Sequence, residues 1–140
     1  MPNKSIRSVI DTNIWISFLI GKTLTNLKDA IISEQVIILF SKELLSELNE
    51  VLHRPKFKKY FSNDKIEELK LLLHEHVEWI KVSERFDDCR DKKDNFLLDL
   101  SVSGDADYLV TGDNDLLILN PFHNVKIVSY ANFKNILNDI

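Results

Sequence analysis

With 140 residues, 44% of them apolar and 29% charged, the chain can build one ordinary domain with a packed core. Its 3 glycines and 3 prolines exclude collagen-like, disordered and turn-rich all-β compositions. Asp and Glu number 22 against 18 Lys and Arg, a formal charge of -4, so the sum does not advertise a nucleic-acid partner, although local charge matters more than the sum. The lone cysteine, Cys89, rules out an internal disulfide and a thiolate zinc site. No apolar run reaches the ~20 residues of a membrane span, and the run 14–20 contains Ser17 and directly follows Asp11 and Asn13, unlike a secretory leader. A soluble cytoplasmic protein without a membrane partner is expected.

In chain order, apolar runs alternate with helical patterns. Residues 6–10 predict a buried strand, stopped by Asp11-Thr12-Asn13, with a helical turn from Asn13. Leu27, Ala30 and Ile31 predict a helix over about 25–33. Residues 36–40 (Val-Ile-Ile-Leu-Phe) predict a second buried strand, and Ser41 then caps a helix through about residue 53. Another helix is expected over about 65–75, capped by Asn63 or Asp64, and a third strand over 79–82. Residues 94–103 read as a helix that Gly104 ends. Residues 108–110 and 126–128 read as the last strands, and 130–137 as a closing helix. No repeat or linker divides the chain, so residues 1–140 are expected to form a single domain. Alternating strands and helices predict a doubly wound, three-layer α/β/α sandwich around a five-stranded, mostly parallel sheet.

Two of the strands end in acids: Asp11 after the first and Asp113, in Thr111-Gly112-Asp113-Asn114-Asp115, after the fourth. Such folds do their chemistry just past the carboxyl ends of the strands. On the helix after Ser41, Leu44, Leu45, Leu48, Val51 and Leu52 form the apolar stripe, and Glu47 lies at its border. Asp91 and Asp94 both fall near the start of the helix before the fourth strand, so either can face the site, and Asp94 is also a natural cap. Two carboxylates 4 Å apart repel by ~4 kcal/mol at an effective dielectric near 20. Asp11, Glu47, Asp94 and Asp113 together therefore need protons or a cation. Oxygen ligands without Cys or His suit Mg²⁺ or Mn²⁺, and such ions serve in-line phosphodiester hydrolysis.

These residues, in this order and spacing, resemble the PIN-domain family over nearly the whole chain. The stretches 44–57 and 111–117 are similar to PIN proteins regarded as toxins of toxin–antitoxin pairs, whereas Lys92-Lys93 and Asn95-Phe96 depart from the alanine-rich form of the small toxin branch. The resemblance implies a PIN-like fold and a Mg²⁺- or Mn²⁺-dependent endoribonuclease acting on single-stranded RNA. It makes Asp11, Glu47, Asp94 and Asp113 the catalytic, metal-binding acids. Asp115 and Asp91 assist, at positions where the family pattern varies, and Asn13 and Thr111 orient the carboxylates by hydrogen bonds. The apolar helices near either end offer a surface for a homodimer or a cognate antitoxin, or else pack into the core.

Residues 53–61 interleave Arg54, Lys56, Lys58 and Lys59 with Phe57, Tyr60 and Phe61. Such a run can hold phosphates and stack bases, or it can be core aromatics between solvated lysines. His74 and His76, two apart on a helix, face different ways and make poor paired ligands. Trp15 and Trp79 suit a core or an interface. Two other classes stay open: a catalytically weak PIN-like module that binds RNA or protein, and a receiver-like or phosphatase phosphotransfer domain. The second lacks the adjacent acid of a receiver, and Asn13 stands where such a phosphatase needs its second Asp.

Overall fold

β-Branched runs bounded by polar turns become strands here because both of their faces are covered. The computed structural model describes residues 5–21 and 24–139; the side chains of residues 19 and 24–27, including the expected core residue Leu27, lie outside the described residues. Strands β1 (Ile6–Ile10), β2 (Val36–Phe40), β3 (Val77–Trp79), β4 (Tyr108–Val110) and β5 (Lys126–Val128) form one sheet. Its order is β3-β2-β1-β4-β5 and every pair is parallel, so the expected mostly parallel sheet is wholly so. Helices α1 (Thr12–Gly21) and α2 (Leu24–Ile32) connect β1 to β2, and α3 (Lys42–Leu52) and α4 (Asn63–His76) connect β2 to β3. Helix α5 (Asn95–Ser103) precedes β4, α6 (Asn114–Leu117) precedes β5, and α7 (Tyr130–Asn138) closes the chain.

The strand order positions the site. From β1 the chain moves outward through β2 to β3, then returns to lay β4 on the other side of β1. That reversal opens a crevice at the carboxyl ends of β1 and β4, where doubly wound folds place their ligands. Register makes the two strands end together: Ile10 pairs with Val110, and the next residues are Asp11 and Thr111.

Helix α3 holds one wall of this crevice. Ser41 is extended and its hydroxyl accepts the Leu44 N–H at 3.2 Å, as its sequence position predicts. Leu44, Leu48, Val51 and Leu52 are buried, and the core they join includes Trp15, Phe18 and Phe40. Toward the other end of β1, the partly exposed Arg7 makes two bonds to Glu78 (3.0 and 2.6 Å) and donates to the Gly104 carbonyl, tying β1, β3 and the end of α5 together. This paired guanidinium holds the Glu78 carboxyl below its usual range.

Three expectations at element ends are corrected. Ser62, rather than Asn63 or Asp64, caps α4: it is the extended residue, and its hydroxyl accepts the Lys65 N–H at 3.2 Å, while Asn63 is already helical. The third strand is Val77–Trp79 rather than 79–82, because its partner β2 ends at Phe40. The last ladder bond runs from Ile80 N–H to the Phe40 carbonyl at 2.8 Å, and beyond it no partner strand remains. Asp94 does not cap α5 with its side chain; its backbone is helical, at the end of a 3₁₀ turn over Lys92–Asp94.

Candidate active site

Asp11 is built into the sheet's end. Its N–H donates to the Val110 carbonyl at 2.9 Å, and the residue is only 6% exposed. Thr111 donates its hydroxyl to Asp11 Oδ2 at 2.8 Å, and the Asn13 backbone N–H points to Oδ1 at 3.4 Å. The Thr111 oxygen also accepts the Asp113 N–H at 3.1 Å. A hydroxyl has one proton, so this second bond directs that proton to Asp11. Burial pushes the Asp11 carboxyl up; Thr111 and Asn13 partly oppose this, and the charges of Glu47 and Asp113 push it up further. Thr111 thus bonds Asp11 through its side chain, whereas Asn13 contributes its backbone and leaves its side chain exposed.

Glu47 projects from α3 toward α1. Thr12, buried at 3% exposure, donates its hydroxyl to Glu47 Oε2 at 2.6 Å. Sequence reasoning assigns Thr12 no role in the site. The available signal was a hydroxyl directly after the strand-end acid, at the first position of a helix.

Asp94 and Asp113 complete the group. Asp94 is pushed up to about 7, first by burial, then by its hydrogen bond to Asp113, then by the charges of Asp11, Asp113 and Asp91. Asp113 also caps α6, its Oδ1 accepting the Asp115 N–H at 2.9 Å. Asp91 therefore acts on the group through its field. Asp115 is paired at 3.8 Å with Arg90. Asn95 fixes the loop before α5 by accepting the Cys89 N–H at 2.9 Å. The Cys89 thiol is buried and shifted up, which makes it unreactive as a nucleophile.

Four acids from β1, α3, the turn before α5 and the loop after β4 thus share one electrostatic environment. The PIN domain family matches residues 7–115, a span that contains all four. The chain belongs to the PIN domain family. No curated protein matches it. PIN domains are a nuclease-type family that generally uses divalent metals, which makes a nucleic acid the substrate class.

In this PIN domain, no three His, Cys, Asp or Glu side chains among the described residues form a ready metal-binding group. Charge and donor type nevertheless fit a hard cation. Burial, and then the neighbouring Asp113, Asp11 and Asp91, push the Asp94 carboxyl up, and a cation would relieve the part of this that is repulsion between carboxylates.

The basic run of the PIN domain stands apart from these acids. Arg54 lies two residues past the end of α3, with extended backbone, and is paired with Glu50 at 3.4 Å. Lys56 and Lys59 lie over the rings of Phe57 and Tyr60, each at 5.1 Å. Phe61 is buried, Phe57 half-buried and Tyr60 exposed, so the aromatics divide between core and surface. Arg54, Lys56, Lys58 and Lys59 are all exposed, and none pairs with the four acids among the described residues. No helix among the described residues is long and apolar enough to cross a membrane.

Proposed function

We propose that this PIN domain is a Mg²⁺- or Mn²⁺-dependent endoribonuclease that cuts single-stranded RNA in the cytoplasm, as the toxin of a toxin–antitoxin pair. The observation that carries this is the group of acids at the sheet's switch point, where Thr111 joins Asp11 to Asp113 and Thr12 holds Glu47. Asp11, Glu47, Asp94 and Asp113 would hold the cation, with Asp115 and Asp91 adding negative field from farther out. The bound ion would supply charge to the phosphoryl oxygen and lower the pKa of the attacking water. Thr111 and Thr12 hold the Asp11 and Glu47 carboxylates in place, so that little reorganisation is left for the reaction. Arg54, Lys56, Lys58 and Lys59 offer outlying contacts to the phosphate backbone.

The toxin role is supported by the likeness of stretches 44–57 and 111–117 to toxin PIN proteins. Its protein partners would be an antitoxin or a second copy of the chain; Ile20 on α1 and Ile32 on α2 expose apolar surface of the kind such a partner covers. Cleavage of unstructured RNA by purified protein in Mn²⁺, against Asp11→Asn, tests the enzyme. Equal cleavage by the two proteins refutes it. Growth arrest on expression, relieved by the product of a short neighbouring reading frame, tests the toxin role.

One observation favours a second reading, a catalytically weak module that binds RNA or protein. The four acids do not form a ready metal group, so the ion must itself draw them together. Cleavage absent at saturating Mn²⁺, with RNA binding retained, would select that reading.

A further inference from the structure

The two tryptophans have opposite fates. Trp15 is fully buried, whereas Trp79 ends the edge strand β3 and is 45% exposed. Its ring lies beside that of Phe40, centroid to centroid at 6.1 Å and tilted by 36°. Two cavities meet at this indole. One, of about 530 Å³, runs past Ser41, Lys42, Glu43, Lys81 and Arg85 at the carboxyl end of the sheet. The other, of about 580 Å³, lies between α3 and α4, where Leu45 and Leu71 contribute apolar surface. Lys42 and Trp79 line both, so the two make one continuous groove.

The charge of this groove opposes that of the whole chain. Its lining carries four cations (Lys42, Lys70, Lys81, Arg85) and two carboxylates (Glu43, Glu67), a net +2 on a protein of formal charge -4. Both carboxylates are already paired, Glu43 with Arg85 at 2.9 Å and Glu67 with Lys70 at 3.8 Å. Among the described residues, Lys42 and Lys81 have no ion-pair partner. An exposed aromatic face flanked by unpaired cations is the chemistry that binds unpaired bases and their phosphates.

One end of the groove lies at the same carboxyl end of the sheet as the acids. Trp79 pairs with Phe40 at the end of β2, and β2 adjoins β1, which ends at Ile10 just before Asp11. Two strand spacings, about 10 Å, therefore separate Trp79 from the end of β1. Lys42 opens the helix that carries Glu47 on its next turn.

We propose that this groove is the bed for single-stranded RNA flanking the cleaved bond, with one base stacked on Trp79 and Lys42 and Lys81 holding the adjacent phosphates. This rests on the nuclease reading above and adds the path of its substrate. The unpaired lysines favour a phosphate backbone over a protein segment as the occupant.

Because Trp15 is buried, quenching of tryptophan emission by oligouridylate reads Trp79. In EDTA, where cleavage does not compete, wild-type emission is quenched on binding. Trp79→Phe loses the quench but keeps most of the affinity. Trp79→Ala binds roughly five- to 150-fold more weakly, the range for loss of one stacked base. Lys42→Gln combined with Lys81→Gln, both at exposed positions, lowers the slope of log affinity on log salt by about 1.4, or 0.7 for each phosphate no longer neutralised. In Mn²⁺, Trp79→Ala raises KM and leaves kcat unchanged. Wild-type affinity, salt slope and KM in these variants overturn the groove, and so does a wild-type protein that does not bind the oligonucleotide. Trp79-dependent self-association with unchanged RNA affinity likewise overturns it in favour of a second copy. Failure of the nuclease reading is seen separately, as cleavage that Asp11→Asn does not reduce, while the EDTA titration still reports on the groove.

Discussion

Replacing Thr111 by valine keeps the shape of the side chain and removes the one hydroxyl that joins Asp11 to Asp113. The buried Asp11 carboxylate then loses its shortest donor, at 2.8 Å, and keeps only the longer Asn13 N–H at 3.4 Å. A hydrogen bond to a charged group contributes about 1.5–3 kcal/mol and a neutral one about 0.5–1.5 kcal/mol. Urea unfolding at pH 8 in EDTA should therefore show Thr111→Val less stable than wild type by about 1.5–3 kcal/mol. The loss should shrink toward the neutral figure as pH falls and Asp11 takes up its proton. Thr111→Ser, which restores the hydroxyl, should recover most of it. In an Asp11→Asn background the same valine should cost less, with a coupling of about 1 kcal/mol or more between the two positions. A loss that is independent of pH and additive with Asp11→Asn would mean that the hydroxyl does not hold the charged carboxylate. Thr111 would then be a packing residue, with no part in setting the charge of the site.

Further outcomes follow from the same geometry. Asp94 ionises near 7 in the folded chain and near 3.8 when unfolded. Between those values the folded chain binds the extra proton, so metal-free stability falls as pH rises from about 3.8 to about 7 and levels off above. Solvent screening of this partly exposed group moderates the slope, Asp94→Asn flattens it, and a wild-type profile unchanged by that variant counts against the carboxyl crowding. Mg²⁺ at ~100 times its dissociation constant should stabilise wild type by about 2.7 kcal/mol and Asp11→Asn by much less, read from melting curves; equal shifts would place the ion elsewhere. A Cβ at residue 104 would lie 2.9 Å from Leu39 Cδ1 and 3.1 Å from Ile80 Cγ1, so Gly104→Ala should cost about 1–3 kcal/mol in urea unfolding unless these side chains give way freely. Thr12→Val frees Glu47 and should lower kcat in Mn²⁺ more than it raises KM; unchanged kcat would mean that Glu47 needs no holding.

Much of the architecture was legible because local rules and burial agree. The five-residue runs at 6–10 and 36–40 are apolar enough to need cover on both faces, and both are strands. Ser41 both announces and caps α3, and the helical period then places Glu47 at the border of the buried stripe. Ends set by a partner were less legible. Nothing local tells where β3 stops, because its length is dictated by β2. Asp94 has the chemistry of a cap, and only the 3₁₀ turn before it diverts its side chain to Asp113. The short helix α6 was not foreseen, because four residues carry too little periodic signal.

By itself the sequence determined the class of fold and which acids stand at the strand ends, since these depend on residue type and short-range period. Only the tertiary structure decided which groups meet. Thr12 finds Glu47 across 35 residues and Thr111 finds Asp11 across 100, because strand order, and not chain distance, brings them together. Likewise the sequence does not distinguish Trp15 from Trp79. One lies under the helices and the other on the last strand of an open edge, and burial belongs to the assembled sheet rather than to the residue.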